Sequence, residues 1–516
     1  MPAIVTDNLK IRNCTNFIND VSNGNYYTFI GLSNYNNYFS DWNSNTPDPV
    51  DNFNYLHEYK NTLLGVKKIT SSDTIRVIPK IQWTTGLKYD MYRHDYSRYN
   101  LTPITNSTRL YDSRYYVVNN DYRVYICINN GASPSNNNKG VISVNEPVHT
   151  SESPELENDG YLWKYLYTIS PADVLKFDST NYISVPTNWQ TASQSENSEI
   201  YRIREAAING QIETILVENS QPYLIPSTTN VINDVPIIGD GSGGLASVTF
   251  DEQGNPISVT VTNGGSEYTF GTLNLDSIVQ PLSTKAVFNV IIPPPGGHGK
   301  NVYTELGANR VLVYSRIENT ITNPDFIEGN QFARVGIVKD ITEYGGGSTL
   351  FTATTGSGVY GLIVDGTSAS SEPEDSIITQ SATNSTGSLV SASSVGSYTV
   401  IKYTKPKEFY TDTYSSGNIL KTSDRFLTNG SGLSTVTSYN YSNFNTSSIT
   451  INNNPYNIAN VSGSQIGETF LGQNFTSGIS NPDINTKSGE IVYVDNRSSV
   501  SRQSQQREDI KIIIEF

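Results

Sequence analysis

Charge is scarce in this chain: Asp, Glu, Lys and Arg make up 16% of its 516 residues, well under the ~25% of an ordinary soluble domain. What charge there is leans acidic, net −15, and there is no Lys/Arg cluster. A nucleic-acid surface needs a basic footprint to displace counterions, so the expectation is no nucleic acid. Cysteine is nearly absent. Cys14 and Cys127 are too few for a disulfide framework or a structural zinc set and fit a reducing compartment, with a lone disulfide between them as the alternative. The four histidines, His57, His94, His149 and His298, lack the close spacing of a metal site. No window approaches the ~18 apolar residues of a membrane span. Met1-Pro2-Ala3 leads into polar sequence without the apolar run of a signal peptide. No Walker A loop and no G-x-S-x-G elbow occur. The expectation is a protein that is not an enzyme, with no catalytic residues, no cofactor, no metal and no membrane.

What is present points to β structure. Hydrophobic residues reach 36%, but 34 residues of that share are tyrosine, and aromatics total 11%. Disordered chains combine low hydrophobicity with high net charge and few aromatics, so this one should fold. Asn, Ser, Thr, Gly and Tyr belong to turns and half-buried strands. The length suggests two to four domains. The fold class expected is mainly β, a multidomain β-sandwich-like architecture with a few short helices.

Along the chain, "NYYTFIG" (25–31) and "TIRVIPKIQW" (74–83) read as strands. "DNFNYLHEYKNTLLGV" (51–66) carries Phe53, Leu56, Tyr59, Lys60, Leu63 and Leu64 near helical spacing and predicts a helix capped by Asp51. "YYVVNNDYRVYICI" (115–128) predicts a hairpin around Asn119-Asn120-Asp121. After "DGYLWKYLYTI" (159–169), Ser170, Pro171 and Asp173 form a capping-box-like start to a short helix over 170–177. Downstream, Ile215-x-Val217-x-Asn219 echoes Val259-x-Val261-x-Asn263, each followed by a tyrosine, Tyr223 and Tyr268. "LASVTF" (245–250) should pair with the second copy across the loop 251–256. Residues 206–295 thus read as a small β domain closed by "PPPGG", and 345–485 as a Ser/Gly/Thr/Asn-rich β region with bursts such as "YGLIV" and "YTVIKY".

Few residues invite chemistry. "GDGSGG" (239–244) and "GSGVYG" (356–361) match G-x-G-x-x-G, but both run into strand-like sequence where a dinucleotide site needs a helix N-terminus, so they read as turns. His298, in "PPGGHGKN", stands among glycines that permit close backbone approach; a loop histidine bonding to backbone is weighed there against a catalytic one. Glu155, Glu157 and Asp159 offer paired carboxylates of the glycosidase kind and read more simply as an acidic loop. Asp240, Asp251 and Asp365 could touch Ca²⁺ but lack a spaced ligand loop. Tyrosines cluster at 26–38, 89–125 and 161–167, suited to protein contacts or to strands. The chain closes on "DIKIIIEF", in which Ile510, Ile512, Ile514 and Phe516 alternate with Lys511, Ile513 and Glu515. That is a strand with at least one buried face, expected to be a structural anchor strand. Ile513, among charged residues on the other face, suggests partial cover there too.

The closing stretch "SGEIVYVDNRSSVSRQSQQREDIKIIIEF" resembles the end of a baseplate wedge subunit of contractile-tailed bacteriophages. The family is the mainly-β, dimer-forming wedge protein of T-even-like phages and cyanophages. It shares the small-Gly-Glu, the aromatic, the acidic-Asn-Arg and a terminal hydrophobic strand ending in Phe. "NYYTFIG", "RVIPKIQW" (76–83), "VYICINN" (124–130), "DGYLWKYLYTI" and "NYISVP" (181–186) fall in that family's order. "GGHGKNVYTELGANRVLVYSRI" (296–317) and "FARVGIVKD" (332–340) look like its cyanophage branch. The resemblance implies that 1–205 begin a core wedge domain, 206–295 are an inserted small β domain and 296–344 return to the core. It further implies that 345–485, longer here than in the T-even protein, are a β insert and that 486–516 close the core. It implies a structural virion component of the tail baseplate, assembled in the host cytoplasm. Such a subunit joins other baseplate wedge proteins, forms a homodimer within each wedge and helps trigger sheath contraction. A host-recognition tail fibre or adhesin shares the composition and is the alternative reading; a β-rich glycan hydrolase, resting only on available carboxylates, ranks last.

Overall fold

The computed structural model describes residues 4–33, 42–196, 198–225, 230–320, 323–324, 331–383, 385–404, 418–419, 427–429, 432–436, 444–463, 473–502 and 506–516. The chain is mainly β, with several sheets and few helices, as composition leads one to expect. It divides into two compact units, one of residues Met1–Phe17, Ile75–Leu312 and Ile513–Phe516, the other of Ile18–Thr74 and Val313–Ile512.

In the first unit the hairpin over 115–128 forms as expected. Tyr116–Val118 pairs antiparallel with Arg123–Asn130, which pairs in turn with Tyr161–Thr168. The turn is set by Asn119, whose Oδ1 accepts from the backbone N–H of Asp121 and of Arg123, both at 2.9 Å, the local bonding that makes asparagine a turn residue. The core behind this sheet is aromatic: Trp163 stacks on Tyr161 at 5.3 Å and meets Tyr89 edge-on at 5.8 Å. Tyr115, Tyr116, Tyr125, Tyr165 and Tyr167 are buried with them. Most tyrosines of the 89–125 and 161–167 clusters therefore serve the interior rather than a contact surface, although Tyr99 is exposed. Of the 26–38 cluster, Tyr35 and Tyr38 lie outside the described residues. The short helix is Pro171–Phe177, and its Ser170 cap accepts from the Asp173 N–H at 3.1 Å.

Within 206–295 the strands Ser242–Phe250 and Pro256–Ser266 form the expected hairpin, in a four-stranded sheet completed by Val231–Gly239 and Gly271–Leu273. The sequence echo is used asymmetrically. Thr214–Asn219 pairs with Val287–Ile291 and buries Ile215 and Val217, whereas Val259 and Val261 stay half-buried. The two tyrosines that end the copies, Tyr223 and Tyr268, meet in one core.

The second unit holds two larger sheets. One runs Thr355–Ser357, Leu63–Lys68, Tyr26–Gly31, Gln331–Lys339, Glu490–Ser501, all antiparallel. The other has seven strands, Asn454–Asn457, Ser448–Ile451, Ile377–Gln380, Ser385–Val395, Tyr398–Thr404, Tyr360–Asp365 and Ile479–Ser480. Both apolar bursts quoted above are central strands of this second sheet and pair with each other. The described residues of 345–485 thus form β structure with a core around Leu362, Ile401 and Ile451. The two ends of that region, however, contribute Phe351 and Ile484 to the core of the five-stranded sheet. A further four-stranded sheet, not confined to the second unit, has the order Glu508–Glu515, Arg310–Ile317, Thr74–Pro79, Tyr182–Val185.

Two expectations need correction. The helix over 51–66 spans Phe53–Asn61, and its cap is Asn52, whose side chain accepts from the Tyr55 N–H, rather than Asp51. Leu63 and Leu64 belong to the strand Leu63–Lys68, where both are buried against the Tyr26–Gly31 strand; burial in a sheet outweighed helical spacing. The strand over 74–83 ends at Pro79, which cannot donate onward. Among the described residues, no helix is long and apolar enough to cross a membrane.

Candidate functional site

His298 lies on the loop after the small β domain, next to Gly297, whose φ of +91° and close approach to the Ile208 carbonyl exclude a side chain there. The turn drives the imidazole inward, where it is buried. Its Nδ1 lies 2.6 Å from Oε1 of Glu305, itself buried at the end of the helix Val302–Glu305. A carboxylate can only accept, so Nδ1–H donates. The other Glu305 oxygen accepts from the Gly299 N–H at 2.7 Å. Nε2 points toward Glu213 Oε2 at 4.0 Å, and Tyr92 packs edge-on against the ring at 4.7 Å. The partner of His298 is therefore a carboxylate, not backbone. The arrangement locks a glycine loop to a helix end, and that is the role its hydrogen bonds account for.

The other flagged residues have structural work. Asp159 Oδ2 accepts from Ser143 Oγ and from the N–H groups of Val144 and Asn145, and Oδ1 from the Tyr161 N–H, so it organises the acidic loop. Burial, then the charges of Asp159 and Glu155, raise Glu157 above its ordinary range. Glu155 reaches to 4.0 Å from His149. Asp240 accepts from the hydroxyl and N–H of Thr269 and from the Phe270 N–H, which hold its carboxyl down at about 2. Asp251 closes the loop to Asn255. Asp365 is an exposed residue at a strand end. Of the glycines in the two G-x-G-x-x-G stretches, only Gly241 and Gly358 lie between strands; Gly239, Gly243, Gly244, Gly356 and Gly361 belong to the strands themselves, and no helix follows either stretch directly. Cys14 and Cys127 are free and buried, and burial pushes the Cys14 thiol up to about 12.

The C-terminal strand alternates much as read. Ile510 and Ile512 are buried, Ile514 and Phe516 are half-buried, and Ile513 with Lys511 on the second face is half-covered as well. The Phe516 N–H donates to the Asn309 carbonyl at 3.2 Å and its ring meets Phe17 at 5.7 Å. Asp509 forms a two-pronged pair with Arg316 at 2.7 and 3.0 Å and accepts from the Tyr314 hydroxyl. The chain end is thus tied by ring, backbone and charge. Its immediate neighbour is Arg310–Ile317, and the first-half strands lie beyond that.

Six buried cations among the described residues, Arg76, Arg93, Lys164, Arg334, Lys402 and Arg502, escaped the sequence reading, and two of them, Arg334 and Lys402, are central to the second unit. Arg334 gives Nη2 to Glu58 at 2.6 Å, Nη1 to Thr62 at 3.0 Å and Nε to Asn496 at 3.0 Å, between the rings of Trp42 and Tyr59. Lys402 is fully buried and its Nζ donates to Gln473 Oε1. The signal was present in both: a single cation inside an otherwise apolar burst, "FARVGIV" and "YTVIKY". No protein-family model matches the chain, and no curated protein matches it.

Proposed function

We propose that this chain is a structural subunit of a contractile-tail baseplate wedge, in which it joins neighbouring wedge proteins and pairs with a second copy of itself. The observation that carries the reading is the C-terminal stretch "SGEIVYVDNRSSVSRQSQQREDIKIIIEF". Its acidic-Asn-Arg element supplies Asn496, the partner of Arg334 in "FARVGIVKD", another stretch of the same resemblance. Residues 455 apart are joined likewise, as the Trp42 indole donates to the Arg497 carbonyl. The resembling stretches coincide with framework strands, Tyr26–Gly31, Thr74–Pro79, Arg123–Asn130, Tyr161–Thr168, Tyr182–Val185, Arg310–Ile317 and Gln331–Lys339. A subunit that holds partners together while a baseplate rearranges needs rigid β units and surfaces that are not uniformly apolar, since wholly apolar ones behave as permanent cores. The scarcity of aliphatic residues fits such surfaces. Cryo-imaging of virions carrying a labelled copy tests the reading: label should appear in the baseplate body. Label on distal fibres would replace it with the host-recognition alternative.

A further inference from the structure

Lys402 occupies the middle of the strand Tyr398–Thr404 and has no exposed surface. Its Nζ is in contact with Oε1 of Gln473, 71 residues further along. That carboxamide is held from its other end too, because Nε2 donates to the Val359 carbonyl at 2.7 Å and reaches Ser357 Oγ at 3.4 Å. The neighbouring strand makes room for it. A Cβ on Gly361 would stand 3.0 Å from Gln473 Oε1 and 2.9 Å from the Phe475 ring, and that ring lies 5.5 Å from Nζ. Asp483 is solvent-exposed as a residue, yet its Oδ2 turns in to accept from the Ser357 N–H at 2.8 Å, and its charge acts on Lys402. A buried primary amine thus faces a clamped primary amide under an aromatic ring, and the amide and the Asp483 carboxyl group both reach Ser357.

We propose that Lys402 and Gln473 are the two ends of a self-formed isopeptide cross-link. The Nζ lone pair attacks Gln473 Cδ and the carbonyl electron pair moves onto Oε1. A proton leaves Nζ and reaches Nε2, with Asp483 as the acid–base group at hand. The carbonyl then re-forms, the Cδ–Nε2 bond breaks, and ammonia departs. One C–N bond forms and one breaks, and nothing is oxidised or reduced. Attack needs the free amine, and burial supplies it by pushing Lys402 down to about 7. The burial of both Lys402 and Gln473 also keeps water from competing for the amide carbon. The broad terminal torsion of a glutamine side chain lets Cδ turn toward Nζ. The bond would tie a central strand of the seven-stranded sheet to the segment leading into its edge strand Ile479–Ser480.

Intact-mass measurement on the purified, folded full-length chain tests this directly. The expected mass is one ammonia below the sequence mass, with a branched proteolytic peptide joining the Lys402 and Gln473 segments. Lys402→Met and Gln473→Met should each restore the full mass. A wild-type protein at full sequence mass, with the two segments recovered as separate peptides, overturns the cross-link without touching the baseplate reading. Asp483→Asn should slow ammonia loss after refolding at least tenfold; an unchanged rate removes Asp483 from the step.

Discussion

Arg334 shows what a single side chain can carry in a chain so poor in charge. Guanidinium geometry lets it serve Glu58, Thr62 and Asn496 at once while two aromatic rings cover its faces. Arg334→Met should destabilise by on the order of 3 kcal/mol, because it strands the half-buried Glu58 carboxylate and two polar partners; chemical denaturation reads this as a lower midpoint at unchanged slope. The histidines give a second residue-level expectation. His149 and His94 are both held below the ordinary imidazole range by burial, and both ring nitrogens of His149 are buried. The folded chain therefore binds fewer protons there than the unfolded chain does. Stability contributed by the neutral rings is present above about pH 6.5, the unfolded value, and is lost as pH falls from there toward the lower folded values. His149→Gln should flatten the fall in melting temperature between neutral and mildly acidic pH; an equal slope in both proteins would show that His149 is not responsible.

At the scale of elements, the readable parts of the sequence were those where local chemistry and packing agree. Ser170-Pro171 and Asn119-Asn120-Asp121 specify their turn and cap through their own side chains, and both formed where expected. The helix over 51–66 was overextended because Leu63 and Leu64 satisfy helical spacing yet are buried by a strand contributed from residues 26–31. The helix Asp7–Asn23 was missed because its asparagine-rich sequence hides the period of Ile11, Cys14 and Val21, which are all buried. His298 could be singled out from its glycines, but its carboxylate partner could not, since Glu305 is brought to it by the turn between them. The last strand was legible from alternation alone. Ile512→Asp should therefore cost on the order of 3 kcal/mol or more, placing an unpaired charge where Ile512 is 3% exposed. Ile513→Asp, on the half-covered face, should cost clearly less. Near-equal melting of the two variants would show that the burial alternation does not govern this strand.

At the scale of the whole molecule, charge bears on the proposed pairing of two copies. Each chain carries 49 acidic against 34 basic residues, net −15, so two copies repel at long range. Screening shortens that repulsion from a reach of about 30 Å at 0.01 M salt to about 8 Å at 0.15 M. An interface built from polar and aromatic contacts loses little over the same change, because its packing does not depend on ionic strength. Self-association should therefore strengthen as salt rises to 0.15 M, whereas binding to a basic wedge neighbour should weaken, attraction being screened in that case. Sedimentation equilibrium of the purified chain across this range separates the two. A dimer fraction that grows with salt supports pairing of identical acidic subunits. A monomer at every salt concentration would remove self-pairing from the proposal and leave heterologous contacts as the means by which the subunit joins its neighbours.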